Sequence, residues 1–148
     1  MFDAFTKSAL GPLILRLALA VIFLYHGLKL CSAETKYGAE WMKPPDSQPA
    51  AVQMAVAWGQ LIGGCAMALG FLTRLAGLGL IAIMVGAIKL AHWEYGFGLI
   101  NEHLPQGHLG YEYNFAIIAM CLALVFTGGG TLSMDRMFLL RRRRAAAR

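Results

Sequence analysis

The chain has 148 residues, 58% of them hydrophobic and 14% charged, with a mean hydropathy of +0.58. A soluble domain carries roughly 25% charged residues, so composition excludes both an ordinary soluble fold and a disordered chain, and the length fits one domain. The net charge is +5, but Arg141, Arg142, Arg143, Arg144 and Arg148 all fall in the last eight positions, so no nucleic-acid partner is expected.

Four apolar runs follow one another at about 10–30, 52–71, 75–93 and 110–127. Each is close to the ~20 residues a helix needs to cross ~30 Å of hydrocarbon. Strand alternation is absent, which argues against a barrel. The expected fold is an all-α integral membrane four-helix bundle, one domain over 1–148. The loop 31–51 contains Pro44, Pro45 and Pro49, which stop any long helix. Only Thr73-Arg74 separates the second and third runs, which predicts a tight antiparallel pair. The third loop, 94–109, is polar and carries His103 and His108. After the fourth run come Gly128, Gly129 and Gly130, then Ser133 as a candidate cap. Met134, Met137, Phe138, Leu139 and Leu140 predict a short C-terminal helix on the inner interface. The basic tail 141–148, with its Arg141 to Arg144 run, favours anionic lipid.

Lys7, Arg74 and the arginine run share one side of a four-span arrangement. The charge rule makes that side cytoplasmic, with both termini inside a multi-pass inner (plasma) membrane protein. A cleaved signal peptide is the competing reading of the first run. That run is longer than the usual ~7–15 apolar residues and contains Arg16, so it reads as a span.

The opposite, outer end is chemically distinct. It collects Trp41, Trp58 and Trp93, all five tyrosines, His26, His92, His103 and His108, and most of the acids. An ordinary aromatic belt explains the loop residues. It explains His26, Lys29, His92 and Glu112 less well, because they lie within or at the edge of spans, where ionisable groups face protein or water. His26 and Lys29 are three apart on one face, and Gly27 beside them permits close approach of a neighbour or ligand. Lys89, His92 and Trp93 cluster within one turn. His26, His92 and Glu112, from three helices, are thus placed to converge.

Such a pocket suits a quinone: an apolar slot, aromatic walls and a few donors for the ring oxygens. His26, Trp58, His92 and Glu112 are the candidate binding residues. His26 and Glu112 are the candidates for carrying a proton. Haem or a metal is the weaker alternative, no metal site is assigned, and the cofactor stays open. Cys31, Cys65 and Cys121 form no Cys-x-x-Cys pair, and they read as packing residues rather than a dithiol centre. Gly59-x-x-x-Gly63, Ala66-x-x-x-Gly70 and Ala82-x-x-x-Gly86 offer small faces for helix contact. Gln60 is expected to hydrogen-bond across helices. Arg16 and Arg74, near the inner surface, are expected to reach phosphates or Asp135.

Four stretches carry a family resemblance. They are Leu15-Arg16-Leu17 with Phe23-Leu24-Tyr25-His26-Gly27, then Gly59 through Gly63-Gly64 to Gly70-Phe71-Leu72-Thr73-Arg74-Leu75-Ala76. The third is Gly110-Tyr111-Glu112-Tyr113, and the fourth runs from Gly128 through Thr131-Leu132-Ser133 to Asp135. In this order and spacing, over most of 10–138, the chain resembles the DoxX family of small four-helix membrane proteins. Lys29 is offset from the family's lysine, and the first and third loops exceed those of the shortest members. The resemblance implies an inner-membrane protein often labelled an oxidoreductase. A related group, DoxD, resembles the membrane subunit of thiosulfate:quinone oxidoreductase, and other members are associated with complexes handling thiols or oxidative stress.

Two functions are therefore expected. One is a redox, quinone-linked role at a polar pocket on the outer face. The alternative is a non-catalytic transmembrane subunit or assembly component of a larger complex, with membrane-protein partners or a homo-oligomer. A small-molecule carrier is weaker, because no broken helix pair or inverted repeat is evident.

Overall fold

The computed structural model describes residues 9–42, 47–98 and 109–146, and every regular element within them is helical. Lys7, Pro44, Pro45, Asp46, Glu102, His103, His108 and Arg148 lie outside the described residues. Helix α1 is Gly11–Leu30, α2 is Ala50–Leu69, α3 is Thr73–Ala87, α4 is Glu112–Thr127 and α5 is Met134–Ala146. A π-helical turn, Ile88–His92, and a 3-10 turn, Trp93–Tyr95, extend α3. With that extension, Thr73–Tyr95 joins α1 and α2 as helices long and apolar enough to cross a membrane, and α4 is a shorter apolar helix.

Each apolar run becomes a helix because every backbone polar group in hydrocarbon must be satisfied within its own segment. Boundaries follow local chemistry. Pro49 precedes α2, where its missing N–H costs nothing. Gly70 ends α2 in the left-handed conformation at φ 65°. There Gly70 N donates to Met67 O and Phe71 N to Ala66 O, closing the last turn. The turn between α2 and α3 is thus Gly70–Leu72, three residues earlier than Thr73-Arg74. Leu72 is also left-handed, at φ 48°. Asp135 holds it there, accepting from Leu72 N at 2.7 Å and from Thr73 N at 2.9 Å. A carboxylate from the start of α5 thereby caps α3. At the start of α5, Ser133 Oγ accepts from Arg136 N at 3.3 Å, the predicted cap.

Helix α1 packs on α2, α2 on α3, α3 on α4 and α4 on α1, closing a ring. Gly27 lets α1 and α2 come together: a Cβ there would lie 2.6 Å from the backbone nitrogen of Leu61. The core is Leu19, Phe23, Met67, Leu80, Ile117, Cys121 and Leu124, all but sealed. The outward faces are as apolar as the core. Ile14, Val21 and Leu28 form a seven-residue stripe on α1 and are 64%, 70% and 63% exposed. An apolar surface of this kind belongs in lipid.

Arg16 is the exception to the apolar pattern. It is 2% exposed and donates four hydrogen bonds, all to backbone carbonyls. Nε reaches Met67 O at 2.9 Å and Nη2 reaches Ala68 O at 3.0 Å, while Nη1 serves Gly129 O and Leu132 O, each at 2.8 Å. It neither extends to a surface phosphate nor pairs directly with Asp135, whose oxygens serve α3. The guanidinium joins the end of α2 to the glycine-rich segment after α4. Arg74 instead donates to Phe126 O at 3.3 Å.

A candidate functional site between the four helices

At the Gly70–Leu72 end, α2 and α3 are in close contact. Cβ atoms at Gly63 and Gly59 would meet Leu80 and Ile83 at 2.6 and 2.8 Å. Toward the opposite end, which bears the 31–49 loop, the facing residues Val52, Val56, Ala87 and Leu90 line a cavity of about 1010 Å³. Phe23, Met84 and Ile117 separate it from the core. Its walls are largely apolar, and the polar side chains lining it are His26, Gln48, Gln53, Gln60, His92, Tyr113 and Asn114.

These groups fall into two kinds. Some are already engaged. Gln53 Oε1 accepts from Met42 N at 2.8 Å, its Nε2 donates to Gln48 O at 2.6 Å, and its carbonyl accepts from Trp41 Nε1 at 3.0 Å. Gln53 thus straps the first loop across the end of α2. His92 Nδ1 donates to Leu109 O at 2.9 Å, which in the neutral ring leaves Nε2 as an acceptor. The others keep hydrogen-bonding capacity in reserve. Gln60 is 8% exposed and finds no hydrogen-bond partner among the described residues. It lies ten residues below the start of α2, roughly 15 Å at 1.5 Å per residue. Asn114 is 6% exposed, and its amide reaches only the sulfur of Met84, at 3.6 Å. Neither amide is among the sealed, unsatisfied side-chain atoms of the described residues, which are Thr73 Oγ1 and Thr131 Oγ1, so both open on the cavity with hydrogen-bonding capacity unused. The sequence-based expectation of an interhelical hydrogen bond from Gln60 is not met among the described residues. Asn114 carried no role in that reading, although an asparagine just inside an apolar helix is itself a signal.

The four residues singled out from sequence divide evenly. His26 and His92 line the cavity. His26 is exposed, and its ring stands edge-on to Tyr25 with centroids 5.4 Å apart. Trp58 is 41% exposed and donates from Nε1 to Tyr37 O at 3.0 Å, fastening the first loop rather than lining the cavity. Glu112 is the first residue of α4, where the helix dipole favours its charge, and it too is outside the lining. Beside it, Trp93 and Tyr111 stack at 5.9 Å, with Phe97 edge-on to Tyr111 and to Phe115. Among the described residues no three of His, Cys, Asp and Glu gather as a metal site would need. Cys31, Cys65 and Cys121 are free thiols, and burial pushes the Cys31 thiol pKa above its ordinary value.

The DoxX family model matches residues 11–93, more than half of the chain. The chain belongs to the DoxX family. No curated protein and no solved structure matches it. The DoxX match spans α1, α2, α3 and the turn that carries His92, and so includes His26 and Gln60. Asn114 and Tyr113, on α4, lie beyond it. The apolar helices, their apolar outer faces and the family together make this a membrane protein of the DoxX family.

Proposed function

We propose that this DoxX-family protein binds a quinone-class ring in the cavity among its four helices and serves a quinone-linked redox reaction in the inner membrane. In this reading the helices form a four-span bundle with both termini cytoplasmic, the orientation that the placement of the basic residues supports, and the loop-bearing end faces outward. The observation that carries the proposal is the pair of amides, Gln60 and Asn114, that line a largely apolar cavity with hydrogen-bonding capacity unused. A quinone offers two carbonyl oxygens on a flat apolar ring, and amide N–H groups are suited to them. Such a ring would supply two-electron, two-proton redox chemistry, with the protons exchanged through the protein. His26 and the free ring nitrogen of His92 lie on the same cavity, nearer water, where they can pass protons. Glu112, just outside it, is the other candidate for carrying a proton at that end.

Native mass spectrometry of the protein extracted from its own membrane in mild detergent tests this. Wild type is expected to retain a quinone-sized mass that Gln60→Leu loses. His26→Ala is expected to keep the ligand and lose quinone reduction. Wild type without any such mass overturns the proposal. The second reading, a transmembrane subunit of a larger complex, is favoured by the open face of α3 at Gly79, where an added Cβ meets nothing within 4 Å. Protein partners that co-purify in fixed ratio, with no bound quinone, would select it.

A further inference from the structure

The cavity has two unlike sides. Six of its lining residues are also exposed, apolar and mostly small: Ala51, Val52 and Ala55 on α2, and Ala82, Leu90 and Ala91 on α3 and its extension. They border the seam where α2 and α3 part above Gly59 and Ile83. On the α1 and α4 side the exposed lining residues are His26 and Tyr113, both with polar tips, and Leu109 in the segment before α4. Beyond the α2–α3 seam the helix faces are apolar, as lipid contact demands. One wall thus suits a polar head and the opposite wall an apolar chain.

We infer that the site takes its ligand sideways from the hydrocarbon phase, and that the ligand is a tailed quinone whose isoprenoid chain leaves between α2 and α3. This rests on the quinone reading above and adds the route and the required tail. The ring sits toward Asn114, Gln60 and His26, and the chain passes Ala55 and Gly86 into lipid. Alanines on both lips, with Gly86 on the α3 side, leave room for a branched chain. Gly86 makes the inference testable, because it lines the cavity and a Cβ added there meets nothing within 4 Å. A side chain can therefore start from that position without its Cβ meeting packed atoms, and a bulky one is the means to obstruct the seam.

The test compares a naphthoquinone bearing an isoprenoid tail with menadione, the same ring without the tail. Binding is read by native mass spectrometry of wild type, Gly86→Phe and Ala55→Phe ejected from nanodiscs doped with each ligand. Circular dichroism and size-exclusion profiles confirm that the variants are folded. Wild type is expected to bind both ligands. The variants are expected to lose about tenfold or more in affinity for the tailed ligand, the scale of a steric mismatch in an apolar pocket, and to keep menadione. Unchanged binding of the tailed ligand in both folded variants overturns the lateral route, and so does equal loss of both ligands. A wild type that binds neither ligand overturns the quinone reading itself, and this inference falls with it.

Discussion

Arg16 shows how one buried charge can be stable close to lipid. Its charge is spread over four backbone carbonyls at the end of α2 and after α4, of which Met67 O also accepts from Gly70 N. The guanidinium fork is the only side chain with donors enough, in a fixed plane, to serve them together. Gly70 is tied to the same arrangement: a Cβ there would lie 2.5 Å from the Arg16 Cζ, and the backbone φ of 65° already disfavours a side chain. Arg16→Ala should lower stability by about 3 kcal/mol or more, since each buried acceptor left unsatisfied costs roughly 1–3 kcal/mol. Arg16→Lys should recover only part, because an ammonium is a point donor. Thermal unfolding in detergent, followed by tryptophan fluorescence, checks both, and an unchanged midpoint for Arg16→Ala contradicts the assignment. Sequence alone showed a lone arginine in an apolar run. It did not show the partners, because backbone carbonyls occur at every residue and leave no trace in composition.

At the scale of elements, the helices were legible and their ends were not. Run length and hydropathy follow directly from the thickness of the hydrocarbon layer, so the four runs emerged within about two residues of α1, α2, α3 with its extension to Tyr95, and α4. The α2–α3 turn was misplaced because its cap comes from far along the chain, at Asp135. Asp135→Ala should therefore fray the start of α3. A lost cap costs about 1–2 kcal/mol, and hydrogen exchange at the amides of Leu72, Thr73 and Ala76 should speed up while α1 exchange stays as in wild type. No change at those amides would mean that the turn holds itself. The site was half legible. His26 and His92 stand out as ionisable groups in greasy surroundings. Gln60 and Asn114 do not, because what they face depends on where α2 and α3 separate, which only tertiary packing decides.

At the scale of the molecule, the two ends differ in kind. One is held by Arg16, Asp135 and close glycine contacts, and the other opens around a cavity under a loop tied by Gln53 and Trp58. Orientation can be read from a single thiol. Cys31 lies just past α1 at the loop end, and a membrane-impermeant maleimide added to cells with an intact inner membrane should label it. Burial raises its pKa, so the reactive thiolate is scarcer than for an ordinary cysteine at neutral pH. Labelling should accordingly be slow near pH 7 and climb steeply into the alkaline range. Cys31→Ser should abolish it. Labelling that appears only after permeabilisation would put that end inside.

The carbonyl partners of Arg16 also set an order of events during biogenesis. Met67 and Ala68 reach it as soon as α2 is inserted, but Gly129 and Leu132 are 113 and 116 residues downstream. Until α4 and the segment after it are in place, the first span carries a cation with half its donors idle beside hydrocarbon, a costly state. A chain that stalls after α3 keeps that unsatisfied charge, and the arrival of α4 with the segment after it relieves it. Helix α1 thus carries a polar defect that is relieved only when the segment after α4 has folded onto it.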